Sequence, residues 1–227
     1  CPDIEDPTFD ATAMATSPYA RIRPIHRPPR EPADLHPHCH WTATIDPGLA
    51  PLPEPEPATH IAPSRLANLE VPAISDVGDG WHDYREPMDP DLRMEWFSQP
   101  ALVALVHEIA VQVHLLVMSF GFAIERRHGI DDAHRIVAKQ MAGIAGLCSE
   151  RLRDALGLDR SVNAVAQVLE LHPLLNPGDY VGARIRRSLD GRSLTGAVVD
   201  CDALHETFPN WVRLLADGHD DGLRTLV

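Results

Sequence analysis

Residues 98–128 read SQPALVALVHEIAVQVHLLVMSFGFAIERRH, and this stretch decides the architecture of the second half of the chain. Ser98 is a suitable helix N-cap. After it, Leu102, Leu105, Val106, Ile109, Val113, Leu116, Val117, Phe120 and Ile124 recur at helical spacing, so a long buried helix is expected with that stripe as its main apolar face. His107, Glu108, Gln112 and His114 interrupt the apolar run, which argues for a core helix over a membrane span.

Working outward, Gly129 ends that helix and Asp131 is expected to cap a second one, stopped by Gly157. Ser161 caps a third over Val162–Leu171, closed by Pro173. The period then changes. Residues 180–185 alternate, Asp190-Gly191 is a turn pair, and Leu194 to Val199 is apolar, so a β-hairpin is expected near 179–200. Residues 209–216 and 219–227 read as helical again.

The first hundred residues are different in kind. All but three of the 21 prolines fall there, and 47–63 (PGLAPLPEPEPATHIAP) reads as an extended polyproline-type linker, unable to form a helix or an inner strand. Residues 64–97 read as an irregular arm anchored by Trp81, Tyr84, Trp96 and Phe97. Strand signals lie at Ala20–Ile25 and His38–Ile45, before the turn Asp46-Pro47-Gly48. Residues 1–47 hold little apolar surface, so their strands are expected to join the sheet of the later hairpin, in the same chain or a partner's.

The expected fold is therefore α+β. A helical domain, 98–227, packs with a small antiparallel sheet, preceded by a strand-containing segment, 1–46, and a Pro-rich linker and arm, 47–97.

A formal charge of −13 disfavours nucleic acid or an anionic membrane as partner, since phosphate binding needs clustered positive charge. The four cysteines are too scattered for a disulfide scaffold, and reduced thiols in a cytoplasmic protein are expected. The chain opens on Cys1 and not Met, which reads as a chain with missing upstream residues. A lipoprotein beginning at its acylated cysteine and an N-terminal nucleophile are the alternatives.

Two groupings carry candidate chemistry. His36-Pro37-His38-Cys39-His40, with His26 and Cys1, offers imidazole and thiolate ligands for zinc or another divalent transition metal. Against it, strand alternation puts Cys39 on the face opposite His38 and His40, as on an ordinary edge strand. On the long helix, His107 and His114 lie on a second stripe with Val103, Ala110 and Met118, and two imidazoles there would serve as general base and orienter in a pocket. The plainer reading has each bonded to a neighbouring carbonyl or facing water. Glu125 and His128 have Glu-x-x-His spacing, but a carboxylate-bridged metal bundle needs a second such motif. Gly-rich phosphate loops and GxSxG turns are absent, so no nucleotide cofactor is expected.

The runs PALVALVHEIAVQVHLLV (100–117) and AIERRHGIDDAHRIVAKQ (123–140), the hairpin after them, and PHCHW (37–41) resemble the L-2-amino-thiazoline-4-carboxylic acid hydrolase-like family and its uncharacterised bacterial relatives. The likeness covers 95–205. Residues 1–45 resemble the tail of a preceding copy, echoed in CPDIEDPTF (1–9) and CDALHETF (201–208). In such relatives the tail carries several cysteines, and Cys1, Cys39 and His26 stand at those places. The resemblance implies hydrolysis of a C–N or C–S bond in a small heterocycle. The expected function is binding of a small organic molecule, with such hydrolysis by His107 and His114 as its enzymatic form. The alternative is a non-catalytic binding or assembly subunit, homo-oligomeric or joined to a partner through the Pro-rich arm, with or without a structural metal in residues 1–40.

Overall fold

The helix announced by Ser98 forms as α3 (Gln99–His128), and the Ser98 hydroxyl accepts the Ala101 N–H at 3.4 Å. The computed structural model describes residues 5–87, 89–207 and 210–226. The chain divides into two compact units, residues 1–60 and 61–227.

In the first unit, α1 (Glu5–Thr16) precedes β1 (Ala20–His26) and β2 (His40–Ile45). The strands pair antiparallel, with Ile22 opposite Ala43 and Pro24 opposite Trp41, and the register slips between Pro24 and His26. Proline gives the ladder no N–H, which accounts for the slip there. The joint sheet expected with the later hairpin does not form within the chain, since among the described residues each pair of strands makes its own two-stranded sheet. A short connection closes at less entropic cost than one spanning most of the chain. The cover that a lone hairpin lacks comes from α1. Phe9 packs on Trp41 with ring centroids 4.4 Å apart, and Asp6 takes both arms of the Arg27 guanidinium at 2.8 and 2.6 Å.

Residues 46–52 are not a free extended linker. Asp46 Oδ1 accepts the Gly48 N–H, and the Leu52 N–H reaches the Pro18 carbonyl at 2.8 Å. The expectation that no helix forms in 47–63 is also corrected, because α2 (Glu56–Ile61) lies there. Pro57 falls in its first turn, where a missing N–H breaks no helical bond.

In the second unit, α3 and α4 (Ile130–Ala155) form a helical hairpin about Gly129, whose φ is +89°. Gly129, not Asp131, takes the cap position, and Asp131 and Asp132 sit in the first turn, where they favour the helix dipole. α5 (Val162–Leu171) has the expected bounds, with the Ser161 hydroxyl accepting from Ala164 N–H. The alternation expected from residue 180 gives way to one helical turn, α6 (Gly178–Val181), and only then to β3 (Ala183–Arg187) and β4 (Leu194–Val198). α7 (Trp211–Ala216) and α8 (Asp221–Arg224) follow, and α8 packs on α4.

The face that α3 buries overlaps the stripe its apolar pattern favours only in part, at Val117 and Ile124. Buried on it are Ala110, Val111, His114, Val117, Met118, Gly121, Phe122 and Ile124. Val106, Ile109, Leu116 and Phe120 of the expected core stripe stay exposed. The core explains the choice. His114 lies edge-on to Tyr180, with centroids 5.4 Å apart, and parallel to Trp211 at 6.3 Å, while Met118 meets the Tyr180 hydroxyl. Glu206, 4% exposed, closes this core. Its carboxylate accepts from Leu66 N–H at 2.8 Å, Arg65 N–H at 3.3 Å and Tyr180 OH at 3.4 Å. Arg213 clasps the Glu206 carbonyl at 2.6 Å, and the Asn210 amide donates to the Ala203 carbonyl.

Gly182 makes the turn into β3 possible. Its φ is +66°, and an added Cβ would lie 2.6 Å from the Cys201 Cβ and 2.9 Å from the Val199 carbonyl. Gly182→Ala is expected to lower unfolding free energy by about 2–3 kcal/mol, read as a drop in the urea midpoint. An unchanged midpoint would show that the turn relaxes freely.

Candidate functional site

The residues between the Pro-rich stretch and α3 gather aromatic side chains. Trp81 stacks on Tyr84 with centroids 5.8 Å apart and meets Trp96 at 5.2 Å and Phe97 at 5.7 Å. Backbone bonds lock this fold-back: Trp81 N–H to the Trp96 carbonyl at 2.7 Å, and Ser98 N–H to the Trp81 carbonyl at 2.9 Å. The approach needs Gly80, where a Cβ would come within 2.8 Å of the Phe97 carbonyl carbon and the Ser98 nitrogen.

Between this segment and the first turns of α3 lies a cleft of about 490 Å³. Val71, Ile74, Tyr84, Met94, Phe97 and Leu105 supply apolar walls, and His82, Asp83 and Glu108 the polar groups. The three polar groups are not equivalent. Asp83 is engaged by the Arg85 guanidinium and by Tyr84 N–H, and these bonds hold its carboxyl below the usual range. His82 Nδ1 lies 3.0 Å from the Ser98 hydroxyl. The Ser98 oxygen also accepts the Ala101 N–H, so one hydroxyl caps the helix and holds the imidazole. Glu108 is half-buried and has no ion-pair or hydrogen-bond partner among the described residues.

A second cleft, of about 460 Å³, lies between α4, α5 and the last residues. Its Arg153 is paired with Asp154, its Asp159 accepts the Ser161 N–H, and its Ser149 and Thr225 hydroxyls already donate to the Leu226 and Ala142 carbonyls. Less is left there to direct a ligand.

Neither helix histidine named from the sequence lines the first cleft. His107 is half-buried, with a buried Nδ1 that has no hydrogen-bond partner among the described residues. His114 is 2% exposed, and its Nε2–H donates to the Asn176 carbonyl at 2.8 Å. Burial pushes its pKa down to about 4, against the opposing pull of the Asn176 and Pro173 carbonyls. His172 is fully buried. Its Nδ1 accepts the Leu174 N–H, so Nε2 carries the proton and donates to the Ala145 carbonyl at 3.1 Å. Burial lowers its pKa too.

Of the candidate metal ligands, Cys1 lies outside the described residues. His26 and His40 are brought together, with centroids 5.7 Å apart, but His26 Nε2 is bonded to the Pro37 carbonyl at 2.6 Å. His38 is exposed and Cys39 half-buried, and among the described residues no three His, Cys, Asp or Glu side chains converge as a metal would require. Cys201 donates to the Val181 carbonyl at 3.0 Å, His205 pairs with Asp200, and burial raises the Cys148 thiol.

The residues of the cleft escaped the sequence reading as a site, although their signal was present. Tyr84 and Phe97 of its lining, with Trp81 and Trp96 packed beside them, concentrate aromatic rings in a chain where only 5% of residues are aromatic. No family model, curated protein or solved structure matches the chain.

The buried histidines make stability depend on pH. His114 has a folded pKa near 4 against about 6.5 when unfolded, so the unfolded chain takes up the proton first as pH falls. Its contribution is complete above about pH 6.5 and lost towards pH 4, amounting to about 3 kcal/mol. His114→Gln, which keeps a donor for Asn176, should unfold with a shallower fall in urea midpoint over that range. Equal slopes in the two proteins would mean that His114 does not titrate as its burial requires.

Proposed function

We propose that the chain binds a small organic cation, a protonated amine or quaternary ammonium on an apolar or aromatic body, in the cleft between residues 71–97 and α3. The observation that carries this reading is the half-buried carboxylate of Glu108, unpaired among the described residues, in a mostly apolar and aromatic cleft whose other polar side chains, His82 and Asp83, are engaged by Ser98 and Arg85. A carboxylate beside apolar walls and without a protein partner favours a cation. The rings of Tyr84 and Phe97 in the lining add attraction for the same charge, and the apolar walls take the body of the ligand. The net charge of −13 draws cations toward the chain as a whole.

Holding the ligand, without cleaving it, fits the chemistry around His82. The nearest hydroxyl, Ser98, is fully buried and engaged as a helix cap, so it is poorly placed to attack a substrate.

Quenching or enhancement of Trp81 and Trp96 fluorescence would report occupancy. Benzyltrimethylammonium is expected to bind more tightly than benzyl alcohol or benzoate. Glu108→Gln should weaken the cation about tenfold while leaving the neutral compound unchanged, the scale of a single partly buried charge contact. Binding of benzoate in preference to the cation, or indifference to Glu108→Gln, would refute the assignment.

A further inference from the structure

α3 carries a second feature, which meets the cleft only at Leu102. Leu102, Val106, Ile109, Val113, Leu116 and Phe120 are spaced 4, 3, 4, 3 and 4 residues apart, the heptad spacing of a coiled-coil seam. Val106, Ile109, Leu116 and Phe120 are 58, 48, 65 and 40% exposed, and Leu102 and Val113 are half-buried. The outer face of an ordinary surface helix is charged. Between Gln99 and Ile124 the only acidic or basic residue besides the histidines is Glu108, and it faces the cleft. The stripe therefore runs about 27 Å along the helix with no charge in it.

We propose that this stripe is the interface of a homodimer in which α3 of two copies pairs antiparallel about a two-fold axis near Val111. The spacing reads the same in both directions about that residue, so a two-fold axis sets Leu102 against Phe120, Val106 against Leu116 and Ile109 against Val113. This is the self-complementarity a two-fold interface demands. Half-exposed side chains of this size along the stripe present roughly 500 Å² per copy, so a pair buries about 1,000 Å² and reaches the size of a specific interface. A bilayer would want apolar residues all round the helix, whereas the opposite face here carries buried His114 and packs on α4. Because Leu102 also lines the cleft, the pairing brings Phe120 of one copy to the edge of the other's cleft.

Light scattering of the full chain at about 50 µM should give twice the chain mass. Ile109→Glu with Leu116→Glu should give a monomer with unchanged far-UV circular dichroism, its dissociation constant weakened at least about a hundredfold. A second measurement needs no disruptive change. A mixture of Val106→Cys and Leu116→Cys proteins should form an inter-chain disulfide well above either variant alone and above the wild-type background. A monomeric wild type, flotation of the wild type with phosphatidylcholine vesicles, or strongest linkage within the Leu116→Cys protein alone would each overturn the proposal.

Discussion

A carboxylate that is 4% exposed must have its acceptor sites filled by the protein, and Glu206 imposes that requirement on the second unit. Its donors come from places far apart in sequence: the backbone at Arg65 and Leu66, and the phenol of Tyr180. Meeting them ties the start of the unit to its last third. Burial and the adjacent carboxylate together drive the Tyr180 pKa upward, so the phenol stays protonated and keeps donating.

With Tyr180 placed, the rest of the core follows. Tyr180 and Trp211 make a polar-edged aromatic box that accepts the imidazole of His114, whose N–H then finds the Asn176 carbonyl. A plain aliphatic stripe would fill the box but leave the Asn176 carbonyl without that donor. α3 therefore turns its histidine-bearing face inward, against the ranking of its faces by apolarity. The stripe of Val106, Ile109, Leu116 and Phe120 is left outside as a consequence. An exposed apolar seam on this helix and a neutral, buried histidine within it are two results of one packing decision.

The same rotation places Glu108 beside the fold-back of residues 71–97. Arg85 neutralises Asp83, Ser98 fixes the imidazole of His82, and Glu108 keeps an unanswered charge. Electrostatic character in the cleft thus depends on which acidic group has a neighbour, a property of arrangement and not of composition.

Local signals were legible in the sequence wherever the physics is local. The Ser98 and Ser161 caps, the Gly129 stop and the Asp190-Gly191 turn each depend on a few adjacent residues, and those elements lie where they were expected. α1 carries little helical signal because its apolar residues do not line one face, and α2 carries little because prolines that punctuate a chain are tolerated in a first helical turn. Pairing of β1 with β2, the inward face of α3 and the grouping of Glu108 with residues 71–97 depend on contacts between distant segments. The sequence by itself determined that long helices and short hairpins would exist and where most would start and stop, because hydrogen bonding and capping are settled within a few residues. Only the tertiary structure decided which face of α3 is core and which carboxylate goes unpaired, because burial energy depends on what the rest of the chain brings to each surface.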